Sequence, residues 1–188
     1  MIISLNLSKS IIMKTRYFII FVLSILFWSC ASDKLHTETY REKPILVGKA
    51  HRSDLKQPPY NQWFDKNYQD YQPEKNSISK LKPLINNFKF IVLMGTWCGD
   101  SQEQVPVFFK VLDAAGYKNI NRLTIYTLPR KYGKTDLGKA YHLQRVPTII
   151  VYEKGKDIGR IIEYPMQSIE SDLLQIMTKK GYRHELEK

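Results

Sequence analysis

Apolar and polar positions along the chain fall into distinct regimes. Tyr17 to Trp28 is apolar except for Ser24, and residues 31–44 are polar and aperiodic. Ile45 to Gly48 reads as a short strand, and Tyr60, Trp63, Phe64, Tyr68 and Tyr71 recur near helical spacing between Pro59 and Pro73. From about residue 77 the alternation becomes regular. A helix is expected over 77–87, a buried strand over 88–95, and a helix over 99–116 kinked at Pro106. A strand at 122–128 and a short helix at 136–143 follow, then two alternating strands joined at Glu153 to Lys156. Residues 168–180 close as an amphipathic helix with Ile169, Leu173, Leu174 and Met177 inward. Helices alternating with strands, ending in a hairpin, imply an α/β fold: a mixed central sheet with helices on both faces.

Composition supports one globular domain, since 188 residues at 43% hydrophobic content can bury a core. The net charge of +11 comes from basic residues scattered through every segment, with no Lys/Arg block. It therefore reads as a solvated basic surface, and nucleic acid is not an expected partner. The N-terminus is more specific. Lys14 and Arg16, the apolar stretch to Trp28, and the small residues after it form a secretory signal too short to span a bilayer. Residues 1–12 add no signal feature, so Met13 is a candidate start. Cys30 directly after the apolar run resembles the lipid-bearing cysteine of bacterial lipoproteins, although Phe27 and Trp28 depart from that pattern. Cleavage after Ala31 is the alternative, and both leave an exported domain with Cys98 as its sole cysteine. The resulting plan is a signal at 1–30, a tether at 31–44, an N-terminal extension packed on the domain at 45–76, and the main domain at 77–188.

Candidate chemistry concentrates in Thr96 to Ser101, TWCGDS, between an apolar strand and a helix. At the first turn of a helix, unpaired N–H groups and the dipole favour the reactive thiolate. Ser101, one turn along, is placed to donate to that sulfur, whereas Asp100 opposes it through like charge. His142 reads as a packed or exposed residue, and the four histidines and Cys98 show no metal-ligand spacing. No metal or other cofactor is expected.

The order of elements, with Trp97-Cys98-Gly99 after a strand, Pro106 in the helix, Val146-Pro147-Thr148 opening a strand and Gly155 in a hairpin, resembles the thioredoxin family. The resemblance covers roughly residues 77–182 and is nearest to members with WCGD in the active turn. It implies a thioredoxin-like fold, a cis bond before Pro147 facing Cys98, and a substrate groove formed by Trp97, Gly99, Asp100, Val146, Pro147, Thr148 and Glu163. It also exposes two departures. Ser101 stands where a resolving cysteine is usual, and Val92 stands where classical members bury an aspartate. With Cys98 as nucleophile and Ser101 as its support, release of a mixed disulfide must come from a substrate thiol or an external small thiol. The expected activity is single-cysteine thiol-disulfide exchange in the bacterial cell envelope. Expected partners are thiol- or disulfide-containing envelope proteins, a small thiol, and the membrane through a lipid on Cys30. A non-catalytic adaptor or chaperone that binds extended peptides is the alternative, and iron–sulfur ligation is disfavoured by Trp97 and by export.

Overall fold

The computed structural model describes residues 34–184 and 186. Six strands form one sheet in the order β1-β2-β4-β3-β5-β6: β1 His36–Tyr40, β2 Lys43–Ala50, β3 Lys89–Met94, β4 Leu123–Thr127, β5 Thr148–Glu153 and β6 Lys156–Ile162. The β3/β4 pair is parallel and the other four are antiparallel. The helices are α1 Arg52–Leu55, α2 Asn61–Asp70, α3 Lys75–Leu81, α4 Gly99–Ala114, α5 Asp136–Ala140 and α6 Ile169–Met177. The α/β class and the mixed sheet expected from the pattern are therefore those of the molecule.

The period-2 geometry of a strand divides β3 between two cores. Phe90, Val92 and Met94 join the larger cluster, which includes Phe108 and Val111 of α4, Phe64 of α2 and Leu173 of α6. Ile91 and Leu93 face the smaller cluster with Ile150, Leu143 and Val146, against which Trp97, Cys98 and Leu137 of α5 pack. An apolar run with no polar alternation is what a strand buried on both faces requires.

Two expectations change here. The tether read over 31–44 is replaced from His36 onward by β1 and its turn into β2. β1 is held by backbone pairing at the sheet edge and leaves four of its five side chains exposed, so it carries no apolar alternation for sequence to reveal. Nor is β2 an appended layer, because Gly48, Lys49 and Ala50 pair with β4 inside the sheet. Its Gly48 adopts φ +119, and an added Cβ would lie 2.6 Å from the Lys34 carbonyl oxygen, so a side chain is excluded twice over.

The aromatic stripe becomes α2 and packs on α4. Phe64, 1% exposed, lies 5.7 Å from the Phe109 ring, and Arg52 lies 4.9 Å over Phe109 and 5.0 Å over Tyr68. Burying such a phenylalanine contributes about 1.5–3 kcal/mol. Pro106 lies inside α4 and has no N–H to give the Gln102 carbonyl. That orphaned oxygen instead accepts Asn67 Nδ2 of α2 at 2.9 Å. The helix expected over 77–87 divides into α3 and a separate 3₁₀ turn at Ile85–Asn87, with Pro83 between them. At α6, Ser168 caps the Ser171 N–H, and two buried carboxylates anchor neighbouring segments. Glu170 accepts Tyr71 Oη and the Glu74 N–H, both at 2.8 Å, and Asp172 accepts the Met166 N–H at 2.6 Å and Tyr182 Oη at 2.9 Å.

Candidate active site

Cys98 is the N-cap of α4, with extended φ −95 and ψ 125, and its carbonyl accepts the Gln102 N–H at 3.0 Å. The N–H groups of the helix's first turn have no partner within the helix and give that end a positive potential. The sulfur is half-buried and free. It lies 3.4 Å from the Val146 carbonyl oxygen and 3.9 Å from an Asp100 carboxylate oxygen. Both of these are acceptors, and the thiol S–H can donate to either. The Val146-Pro147 bond is cis, and the Glu163 N–H donates to the Pro147 carbonyl at 2.7 Å. Thus the residue before the cis bond touches the sulfur, and the first residue after β6 pairs with the same dipeptide.

The turn is shaped by packing around Trp97. Its indole N–H donates to the Leu128 carbonyl at 2.8 Å, its ring stacks on Tyr132 at 6.1 Å and 14°, and Arg130 lies 4.6 Å over it. Tyr40 meets the same ring edge-on at 6.4 Å. Gly95 makes room for this arrangement, since a Cβ there would lie 2.5 Å from the indole. Thr96 ties the turn to the N-terminal strands, with its hydroxyl accepting the Leu46 N–H at 3.0 Å and its carbonyl accepting Gln102 Nε2 at 2.7 Å.

The site residues named from sequence divide into three groups. Trp97, Cys98, Gly99 and Asp100 share the active turn, the Cys98 sulfur contacts Asp100 and the Val146-Pro147 peptide, and Trp97 and Gly99 also line a groove beside it. Ser101 does not take the role expected of it. It is 0% exposed, and its Oγ accepts the Gly95 N–H at 3.2 Å, which makes it a brace for the strand-to-helix turn. Thr148 likewise turns inward, 1% exposed, donating to the Arg145 carbonyl at 2.7 Å. Glu163 has φ +61 and forms an ion pair with Arg145 on the rim. Cys30 lies outside the described residues. Val92 is fully buried among apolar neighbours, and His142 lines a separate hollow with Asp157 and Arg160.

Sequence reasoning missed Tyr164, whose hydroxyl donates to Asp100. That hydrogen bond, together with slight burial and the Asp100 charge, pushes Tyr164 up to about 12. It missed Arg130, Tyr132 and Tyr40 as well. These four come from three distant segments, Tyr40 at the end of β1, Arg130 and Tyr132 after β4 and Tyr164 after β6, and no spacing in the chain links them to Cys98.

A family model described as thioredoxin matches residues 54–175. The chain belongs to the thioredoxin family. In this thioredoxin-family chain the matched region begins in α1, well before the boundary at 77 expected from the motif order, which places α2 and α3 within the family's span. A search of curated protein sequences gives no match. Solved structures to which the chain is similar include the following three. One is a protein of unknown function from Pseudomonas aeruginosa, at 14% identity and TM-score 0.42, covering 64% of this chain and 71% of that one. The second is mitochondrial thioredoxin 3 from Saccharomyces cerevisiae, at 18% identity and TM-score 0.35, covering 60% and 98%. The third is the thioredoxin of Malassezia sympodialis, at 18% identity and TM-score 0.34, covering 50% and 75%.

Proposed function

We propose that this protein is a thiol-disulfide exchange protein of the bacterial cell envelope that works through Cys98 alone. The observation that carries the reading is a half-exposed sulfur at the head of α4, 3.4 Å from the carbonyl of a cis Val-Pro peptide. In the forward step the Cys98 thiolate attacks one sulfur of a partner disulfide. A Cys98–partner bond forms, the partner's own S–S bond breaks, and the departing sulfur leaves as a thiolate that takes a proton. Ser101 has no thiol with which to complete an internal resolution. A second thiolate, on the partner or on a small external thiol, therefore attacks the mixed disulfide and releases Cys98 unchanged. A thiol of the same partner gives isomerisation, with no net change of oxidation state. Two external thiols give net reduction of the partner by two electrons.

Export and anchoring through a lipid on Cys30 complete the proposal and rest on the N-terminal pattern of charge, apolar run and small residues. The test is recovery of activity by a scrambled multi-disulfide substrate in the presence of a small thiol. Wild type is expected to speed recovery and Cys98→Ala to do no better than the small thiol by itself. Equal rates for the two proteins would overturn the catalytic reading.

A further inference from the structure

A groove of about 640 Å3 opens beside the active turn, within the range of about 300–1,000 Å3 typical of ligand sites. Its far wall is the β1–β2 turn with Tyr40, Arg41 and Lys43, and its floor includes Tyr60 and Trp63 at the start of α2. Its near wall is Trp97 and Gly99, the two residues that flank Cys98. The lining contains two cations and no carboxylate. Among the described residues neither Arg41 nor Lys43 has an ion-pair partner, and Arg41 rests 5.4 Å over the Tyr40 ring. Tryptophan, tyrosine and arginine are the side chains that carry most binding energy where proteins meet. Unneutralised cations above an apolar floor call for an occupant that offers carboxylates beside an apolar or aromatic side chain.

We propose that this groove binds an acidic, extended segment of the protein whose disulfide Cys98 attacks. The proposal rests on the exchange reading above. Because Gly99 and Trp97 belong both to the groove and to the reacting turn, a chain lying there brings residues next to its own cysteine against Arg41 and Lys43. The N-terminal hairpin thus selects partners by the charge that flanks their disulfide.

The test uses the full protein and two short cysteine peptides, each activated as a 2-thiopyridine disulfide. One places glutamates around a phenylalanine beside the cysteine, and the other places lysines there. Rates are read from thiopyridone release and expressed relative to the rate with neutral dithiodipyridine. The acidic peptide is expected to react about tenfold faster than the basic one, a preference within reach of two exposed ion pairs. Arg41→Glu combined with Lys43→Glu should collapse that ratio to near one, and Gln62→Glu, which adds a carboxylate to the lining, should lower it. Lys154→Glu with Lys156→Glu changes net charge equally at the remote β5–β6 turn and should leave the ratio intact. Equal rates for the two peptides, or equal loss in the two double variants, would overturn the proposal while leaving exchange at Cys98 standing. Failure of Cys98 to react with any disulfide would instead overturn the exchange reading. In that case quenching of tryptophan emission by a cysteine-free acidic peptide still reads the groove, and no quenching refutes it. Displacement of that peptide by phosphatidylglycerol vesicles, abolished by the Arg41/Lys43 changes, would assign the rim to a lipid surface and refute the peptide proposal.

Discussion

Ser101→Cys supplies the thiol that the active turn lacks, and the structure sets what that change costs. Ser101 Oγ is fully buried and accepts the Gly95 N–H at 3.2 Å. A buried donor stripped of its partner costs about 1–3 kcal/mol, and sulfur remains a weak acceptor, so the loss falls in the lower part of that range, about 1–2 kcal/mol. At about 2–4 °C per kcal/mol for a domain of this size, the reduced variant should melt about 2–8 °C below wild type. The gain is chemical. Residues one turn apart along a helix satisfy the Cα separation of about 4.4–6.8 Å that a disulfide requires. The variant should therefore form an internal disulfide between Cys98 and the introduced thiol on mild oxidation, and reduce protein disulfides catalytically with dithiothreitol as the electron source. Calorimetry of the reduced form and peptide mass mapping of the oxidised form read the two parts. An unchanged melting temperature would refute the Gly95 hydrogen bond, and absence of the internal disulfide would refute the placement of Cys98 at the head of α4.

Gly95→Ala puts a Cβ 2.5 Å from the Trp97 indole and should cost about 1–3 kcal/mol by overpacking, with a measurable change in tryptophan emission as the ring leaves Tyr132. Asp100→Asn removes the carboxylate that accepts Tyr164 Oη and holds that phenol up at about 12, so Tyr164 should titrate nearer its ordinary value of about 10 by ultraviolet absorbance; an unchanged titration would contradict the contact. At Asp113, burial pushes the carboxyl up, yet hydrogen bonds from Arg52 and Tyr68 outweigh it and hold the group below its ordinary range. A depressed carboxyl stabilises the fold above the unfolded value of about 3.9 and loses that contribution as pH falls through the folded value, so urea midpoints of Asp113→Asn and wild type should differ at neutral pH and converge below about pH 4.

Much of this arrangement was legible from order alone. The all-apolar run of β3 marked a strand buried on both faces, and the turn residues Trp97, Cys98 and Gly99 fell where a strand hands over to a helix. Boundaries shifted where a local breaker acted, as Pro83 did between α3 and the turn at Ile85–Asn87. β1 escaped notice because an edge strand held by its backbone has no need of an apolar face. Ser101 was read as a sulfur ligand because one-turn spacing suits that contact, but its buried oxygen accepts the Gly95 N–H, a tertiary contact that spacing along the helix does not reveal. Tyr164, Arg130 and Tyr40 reach the site through tertiary folding over long separations, and only coordinates bring them together.

If the sulfur facing the Val146-Pro147 peptide is where partners become covalently held, the mixed disulfide can be caught in the act. The protein is incubated with a scrambled disulfide substrate, quenched with acid during turnover, and its adducts are mapped by mass. Substrate joined through Cys98 is expected, accumulating while small thiol is scarce and cleared when it is supplied. Recovery of the substrate with Cys98 unmodified at every time point would contradict exchange through this cysteine.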